Sequence, residues 1–133
     1  MAAFPLQIVT PDRMVFDGNA QQVIFRTVTG DVCILAHHID YAAPLGIGEA
    51  QVTDENGVTR SGACNGGMLS VADGRVRVLT TTFEWEHEID RDRAAAAQQA
   101  AEEQLKTLDR EDVQYAVAEA KLKRALTRLR VKG

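Results

Sequence analysis

One short stretch of charged residues has the types and spacing of an anion-binding helix terminus. Asp90 is suited to cap a helix, because its carboxylate can accept a hydrogen bond from an unpaired backbone N–H of the first turn. Three residues later, where a capping box carries Glu or Gln, the sequence has Arg93. A cation in the first turn faces the positive end of the helix dipole and does not help the isolated helix. An anion bound at this terminus would explain Arg93.

Further along the chain, three cations recur at helical spacing: Lys121, Arg124 and Arg128. The spacing places them on one face of a helix, turned away from the apolar stripe of that helix. A solvated basic face is the commoner meaning of such a cluster. The alternative is a phosphate site that also includes Arg93, if the helices fold back on each other. Glu84 and Asp90 would then serve another part of the ligand, such as an adenine amino group or a ribose hydroxyl, because carboxylates repel phosphate.

The elements that must position these groups divide the chain in two. Residues 1–87 contain short β-branched and aromatic runs separated by turns, and no window with a helical period. The turn signals include Thr10-Pro11-Asp12, Asp17-Gly18, Asn56-Gly57 and Asp73-Gly74. Residues 41–48, which carry Pro44 and Gly46, are expected to be irregular or to form a sheet edge. The pattern predicts a β-sandwich, a flattened barrel of about ten short strands.

Residues 88–133 contain no Pro, and their only Gly is the last residue. Apolar positions recur every three or four residues on both sides of a polar break at residues 109–112. The first stripe comprises Ala94, Ala97, Ala101, Leu105 and Leu108, and the second comprises Tyr115, Ala118, Leu122, Ala125, Leu126 and Leu129. This predicts an antiparallel two-helix hairpin and an α+β fold overall. Two such stripes leave a small core, so the hairpin must lean on the sandwich or on another protein.

Composition and charge exclude several classes of function. The net charge of −4 and the few aromatic residues argue against a nucleic-acid-binding surface. The apolar runs are far shorter than the ~20 residues of a membrane-spanning helix, and the first residues lack the features of a signal peptide. Cys33 and Cys64 are far apart and have no metal-type spacing, so two buried free thiols are expected.

No residue set has the spacing of a catalytic or metal centre. His37 and His38 lie near Asp40, but no third ligand is spaced to complete a metal site, so exposed loop histidines are expected. Asn65-Gly66-Gly67 lacks the Lys and Ser/Thr of a phosphate loop, and is expected to relieve crowding at a strand start or a bulge. No serine has a Ser-His-acid context. We therefore expect neither catalysis nor a metal in this chain.

The order of these features resembles the epsilon subunit of bacterial F-type ATP synthases over nearly the whole chain. Each matching segment is weak alone, but together, in this order and at this length, they are specific. The segments are Ile8-Val9-Thr10-Pro11-Asp12, Thr29-Gly30-Asp31, Asn65-Gly66-Gly67-Met68-Leu69, Ile89-Asp90 with Arg93-Ala94, and Arg124-Ala125-Leu126-Thr127-Arg128-Leu129.

The resemblance implies a non-catalytic rotor subunit of a proton- or sodium-translocating enzyme, peripheral to the cytoplasmic face of the bacterial cell membrane and not inserted in it. The sandwich, residues 1–87, would dock on the gamma subunit and on the polar loops of the c-ring. Asp31 and His38 would contact the ring from either side of one exposed loop. The hairpin, residues 88–133, would lie on the sandwich or extend along gamma toward the catalytic alpha and beta subunits and block ATP hydrolysis. Residues 37–40 depart from the family's usual Gly-His and Pro pattern.

The resemblance also implies a regulatory ATP site in the folded form, with no cofactor required. An Ile/Leu-Asp-x-x-Arg-Ala motif characterises members that bind ATP, and such members also carry an acidic residue before it and two arginines on the second helix. The seven matching positions are Glu84, Ile89, Asp90, Arg93, Ala94, Arg124 and Arg128. Ala100 stands where those members carry a further arginine. The alternative function is a free-standing nucleotide-sensing protein, which would not form a stable complex with gamma.

Overall fold

In the computed structural model, which describes residues 2–133, seven strands precede a 3-10 turn and two α-helices. The strands are β1 (Phe4–Thr10), β2 (Arg13–Thr27), β3 (Gly30–Leu35), β4 (Tyr41–Asp54), β5 (Thr59–Ala72), β6 (Arg75–Thr80) and β7 (Phe83–Trp85). The 3-10 turn covers Glu86–Glu88, and the helices are α1 (Arg91–Thr107) and α2 (Val113–Lys132). The predicted α+β order, a β-sandwich followed by a helical hairpin, is confirmed.

Five of the strands close into a flattened barrel. Their order is β1-β6-β5-β4-β2, and β2 pairs back with β1. Strands β1 and β6 run parallel, and the other neighbours run antiparallel. Strand β3 extends the sheet beyond β2, and β7 adds a short pairing to β5. Closure pairs the long strands on both sides and so removes most of the exposed sheet edge.

The core lies inside this barrel because the strands alternate apolar and polar side chains. Along β1, Phe4, Leu6 and Ile8 point inward, and along β6 the inward residues are Val76 and Val78. The largest side chains that are almost completely buried are Phe25, Leu6, Ile8, Ile34, Leu69, Val23, Val52 and Val78. Burying side chains of this size supplies most of the favourable free energy of folding.

The sheet has seven strands and not about ten, in part because two of the predicted breaks between strands are wrong. Asp17-Gly18 lies inside β2, where both residues stay in register with Leu6 and Gln7 of β1. Residues 41–48 belong to β4 and pair continuously with β5. Pro44 is tolerated because it lies just beyond Leu45, where the register of β4 with β2 ends, so its missing N–H breaks no ladder bond there.

The glycine pair at residues 66–67 forms a crowded bend within β5. Gly67 has a φ of +122°, and a Cβ at this position would lie 1.9 Å from the backbone oxygen of Leu79. Only glycine fits such a conformation and such a close approach. The prediction that a glycine relieves crowding here is therefore confirmed for Gly67, whereas a Cβ at Gly66 would meet only the Leu45 oxygen at 3.8 Å.

Helix α1 begins after Asp90, as predicted, and α2 begins after Asp112, the last residue of the predicted polar break. The Asp90 carboxylate accepts a hydrogen bond from the Arg93 N–H at 3.1 Å, and that of Asp112 accepts from the Gln114 N–H at 2.8 Å. Helix α2 packs against α1 on one side and against β4 and β5 on the other. The side chains buried on the helices are small: Ala94, Ala101, Ala118, Ala125 and Val131.

Two details, the exposure of Leu126 and that of Cys33, differ from expectation. Leu126, assigned to the apolar stripe, is 42% exposed, because the narrow alanine face of α2 turns it outward. Cys33 is exposed on the edge strand β3, whereas Cys64 is buried, and burial raises its pKa to about 11. Both thiols are free. Neither helix in residues 2–133 combines the length and the apolar character that crossing a membrane requires.

Candidate functional site

A cleft of about 660 Å³ opens where the barrel, the start of α1 and the second half of α2 meet. Its walls come from four parts of the chain: the β1–β2 turn, the segment of residues 83–90 that we call the joint, the first turns of α1, and α2. The lining residues are Thr10, Asp12, Arg13, Thr82, Phe83, Glu84, Glu88, Asp90, Arg93, Ala94, Ala97 and Arg128.

The joint is held against the barrel by a short strand and by the buried side chains of Phe83, Trp85 and Ile89. Strand β7 pairs with β5 over only three residues, and Gly62 of β5 lies under the Phe83 ring, where a Cβ would be 2.5 Å from it. Ile89 is buried against Ala63 and Val131. These contacts present the Glu84 side chain and the N-terminus of α1 to the same cleft.

Helix α2 contributes Arg128, whose Nε donates to the Glu84 carboxylate. The two residues are 44 positions apart in sequence, and both side chains are about two-thirds buried. The pair ties the hairpin to the joint and closes one wall of the cleft. Arg93 differs, because its side chain is exposed and forms no ion pair within the described residues.

A second ion pair in the cleft joins Arg13 of β2 to Glu88 of the 3-10 turn. Nη1 and Nη2 of Arg13 donate to the two carboxylate oxygens of Glu88 at 2.7 and 2.8 Å. Nη2 also donates to the Phe83 carbonyl at 2.9 Å. The Trp85 N–H donates to Glu88 at 3.0 Å. These bonds lower the pKa of Glu88 from 4.5 to about 2, and the bond from Arg13 has a larger effect than the one from Trp85. Glu88 in turn raises the pKa of Arg13.

The lining residues therefore carry four carboxylates and three guanidinium groups. The acids are Asp12, Glu84, Glu88 and Asp90, and the cations are Arg13, Arg93 and Arg128. The Thr10 hydroxyl donates to Asp12 at 2.6 Å and lowers the pKa of that carboxyl. Glu84 and Glu88 are already paired with arginines, so Arg93 is the cation left open to a bound anion.

Five of the seven residues predicted to bind ATP line this one cleft: Glu84, Asp90, Arg93, Ala94 and Arg128. Ile89 lies behind the joint as part of its buried cluster. Arg124 is half-buried on α2, one turn before Arg128, and lies outside the lining. Lys121 is exposed, and so is Ala100 on the far side of α1. The fold thus brings together residues that the sequence separates by more than 30 positions.

The two residues predicted to contact a ring lie away from the cleft. Asp31, near the start of β3, accepts from Arg26 Nε at 2.7 Å, and His38 lies in the turn after β3. Strand β3 therefore separates them, and they do not flank a single loop as expected. His37 is exposed in that turn with a φ of 66°. Within residues 2–133, no three histidine, cysteine or acidic side chains are close enough to hold a metal ion.

Arg13 and Glu88 were not singled out from the sequence, although they form the bidentate ion pair of the cleft. They are 75 positions apart, and no periodic pattern links a turn near the N-terminus to the joint. One local signal was present. Glu88 stands three residues after Trp85, the spacing at which a carboxylate reaches back to a backbone N–H.

Comparison with known proteins matches both parts of the chain. The model of the ATP synthase delta/epsilon chain β-sandwich domain matches residues 3–86, and that of the long α-helix domain of the same chain matches residues 87–133. The ATP synthase epsilon chain of Ruminococcus albus is 39% identical over 98% of this chain and 97% of its own, and that of Bacillus pumilus is 38% identical over 100% and 99%.

A similar fold occurs in a solved structure of the mitochondrial ATP synthase of Euglena gracilis, described as its OSCP/F1/c-ring assembly. One chain of that structure superposes with a TM-score of 0.81 at 26% identity, covering 92% of this chain and 77% of the other.

Proposed function

This chain belongs to the ATP synthase delta/epsilon chain family, and we propose that its sandwich docks on the gamma subunit and the c-ring while its hairpin restrains ATP hydrolysis and binds ATP. The chain is a non-catalytic subunit of the central stalk. As a peripheral component on the F1 side, it would work at the cytoplasmic face of the bacterial cell membrane.

One observation supports the ATP site above all others. Residues of the joint and of α2, which match the family's nucleotide-binding positions, converge on one cleft only because the hairpin lies down on the barrel. The cleft of about 660 Å³ falls within the range of ~300–1,000 Å³ found for small-molecule sites. An extended hairpin would carry Arg128 away and would dismantle the site.

The cationic and the acidic residues of the cleft bind different ends of the ligand. Arg93, Arg124 and Arg128 serve the phosphates, since guanidinium forks and the N-terminus of α1 both suit anions. Glu84 and Asp90 bind the adenine and the ribose from the lining of the cleft, and Ile89 supports that side from its buried position behind the joint. Arg128 is now paired with Glu84, so phosphate must take Arg128 over from that carboxylate. Glu84 is then free to accept from an adenine amino group.

This exchange makes ATP a ligand of the folded hairpin alone. A ligand that binds one conformer shifts the population toward it. At a hundredfold excess over its dissociation constant, ATP adds about 2.7 kcal/mol to the folded form. That is about a hundredfold in the ratio of folded to extended chains. Plentiful ATP would therefore keep the hairpin away from the alpha and beta subunits and release the brake on hydrolysis.

The outer surface of the barrel offers a separate surface for gamma. Pro44, Met68, Leu79, Val9 and Met14 lie side by side in register on five neighbouring strands. Met68, Leu79 and Met14 are 46, 51 and 50% exposed, so the stripe is an apolar patch open to a partner. We assign this stripe to gamma, and Asp31 and His38 near β3 to the polar loops of the ring.

Calorimetric titration of the full chain with ATP and ADP tests the ATP site. We expect ATP to bind more tightly than ADP, and Arg128→Ala to weaken ATP binding by at least about tenfold, the effect of losing a charged hydrogen bond. Arg93→Ala, Arg124→Ala and Asp90→Ala should also weaken it. Lys121→Ala is the matched control, since Lys121 is exposed on the same helix and lies about one turn farther from Arg128 than the half-buried Arg124. Absence of heat at millimolar ATP would refute the site.

Reconstituted ATP synthase tests the two partner surfaces. A chain truncated after residue 87 should still copurify with gamma and support ATP synthesis, while ATP hydrolysis rises. Met68→Glu with Leu79→Glu should abolish copurification with gamma, whereas Val58→Glu, at a position equally exposed on the β4–β5 turn, should not. Cysteines at positions 31 and 38 should crosslink to the c-ring. Crosslinks to alpha or beta alone would contradict the ring assignment.

A further inference from the structure

Arg13 makes a contact that the proposed ATP site does not yet use. Its guanidinium donates three hydrogen bonds, two to the Glu88 carboxylate and one to the Phe83 carbonyl. Glu88 in turn accepts from the Trp85 N–H. The bonds thus end at residues 83, 85 and 88. They bracket Glu84 and stop two residues before Asp90.

The joint buries Phe83, Trp85 and Ile89, but no strand pairs with its outer edge, and there the clamp is needed. Strand β7 is three residues long and pairs only with β5 on the inner side. The β1–β2 turn fixes the backbone of Arg13. There the Thr10 hydroxyl donates to the Asp12 carboxylate at 2.6 Å and lies 3.3 Å from the Arg13 carbonyl, which it also faces as a donor. A bidentate arginine–carboxylate pair fixes direction as well as distance.

Both partners of this clamp belong to the barrel side of the cleft. Arg13 starts β2, and Glu88 ends the 3-10 turn before α1. Neither bond involves α2, so the clamp is intact whether α2 lies on the barrel or is extended. The Arg128–Glu84 pair, by contrast, exists only in the folded form.

We infer that Arg13 is a positioning residue of the ATP site, which holds Glu84, Asp90 and Arg93 in binding geometry before α2 arrives. The inference rests on the proposed ATP function. With half of the site preformed, the nucleotide has only to draw in α2 and its arginines, and a preformed half-site binds more tightly than a mobile one. Arg13 is not assigned to phosphate, because three hydrogen bonds to Glu88 and the Phe83 carbonyl hold it in place, whereas Arg128 makes a single bond to Glu84.

Titration of full-length variants with ATP distinguishes a positioning role of Arg13 from a phosphate-binding role, because the two roles change the ATP affinity of Glu88→Gln in opposite directions. Arg13→Met and Glu88→Gln should both weaken ATP binding, each by about tenfold, the effect of a lost charged hydrogen bond. Arg13→Lys should recover little, since an ammonium cannot form the fork. Arg77→Met is the control, because Arg77 is an exposed arginine on β6 with only one 3.3 Å bond, to Gln7. A tighter complex in Glu88→Gln would mean that freed Arg13 binds phosphate, and would overturn the inference, as would unchanged affinity in Arg13→Met.

Amide hydrogen exchange of the nucleotide-free chain tests the clamp without ATP. In Arg13→Met, the Trp85 amide and its neighbours in the joint should exchange about tenfold faster, while barrel amides such as those of Val23 and Val78 should not change. Unchanged exchange at the joint, or an equal rise throughout the barrel, would overturn the positioning role. If the unsubstituted chain binds no ATP, the proposed function fails by itself, and this measurement still decides whether Arg13 holds the joint.

Discussion

The barrel and the hairpin bury very different side chains. The barrel core is built from large residues such as Phe25, Leu6 and Ile34, each almost completely buried. On the helices, four of the five buried residues are alanines, and the fifth is Val131. Burial free energy scales with apolar area, so the hairpin gains much less by docking than the barrel gains by folding. One region is therefore a fixed platform, and the other can leave it and return.

The largest effect should come from the barrel core. Phe25→Ala should lower the free energy of unfolding of the whole chain by about 3–5 kcal/mol, the usual cost of deleting a buried aromatic ring. Urea denaturation followed by circular dichroism measures it. Val28→Ala serves as the control, because Val28 is 65% exposed. A loss below about 1 kcal/mol would mean that Phe25 does not belong to a close-packed core.

An intermediate effect should come from the alanine face of α2. Ala125 is fully buried, and Ala125→Leu should cost the docked hairpin about 1–3 kcal/mol through overpacking. We expect the barrel signals in NMR to stay unchanged while the hairpin detaches and ATP affinity falls. Leu126→Met, at the exposed neighbouring position, should leave both unchanged. Loss of the barrel signals would show that the two regions are not separable.

The smallest effect should be a pH dependence confined to the barrel side. The pKa of Glu88 is about 2 in the folded chain and ordinarily 4.5, so the unfolded chain binds a proton first as pH falls. The Arg13–Glu88 pair therefore stabilises the fold fully above pH 4.5 and progressively less down to pH 2. Denaturation at pH 6, 4 and 3 should show a steeper loss for the natural chain than for Glu88→Gln. Parallel curves would contradict the assignment.

The hairpin could be predicted from sequence almost to the residue, and the barrel only in outline. Asp90 and Asp112 are local signals, because a cap acts within one turn. The strands depend on distant partners. Asp17-Gly18 looks like a turn, yet β1 holds it in an extended strand, and the pairing with β5 does the same for residues 41–48. Local turn propensity yields to tertiary pairing in both places.

In the candidate site, too, the residues with a local sequence signal could be predicted, and those that depend on a distant partner could not. Arg93 was conspicuous because it breaks a local rule for helix starts, and Arg128 because of its helical spacing. Arg13 breaks no rule, and its partner Glu88 lies 75 positions away. Only the closed barrel, which brings the β1–β2 turn beside the joint, makes that pair visible.

The position of Trp85 gives the chain a built-in optical label. It is the only tryptophan, it is 4% exposed, and it follows Glu84 directly. The Arg60 guanidinium lies 3.9 Å above its ring, and the Phe83 ring meets it edge-on at 4.8 Å. Arg60 belongs to β5, so any displacement of the joint from β5 changes the contact between Arg60 and the indole, and with it the fluorescence. Fluorescence of the Arg13→Met chain, compared with that of the natural chain, should therefore report whether the joint has come loose from β5.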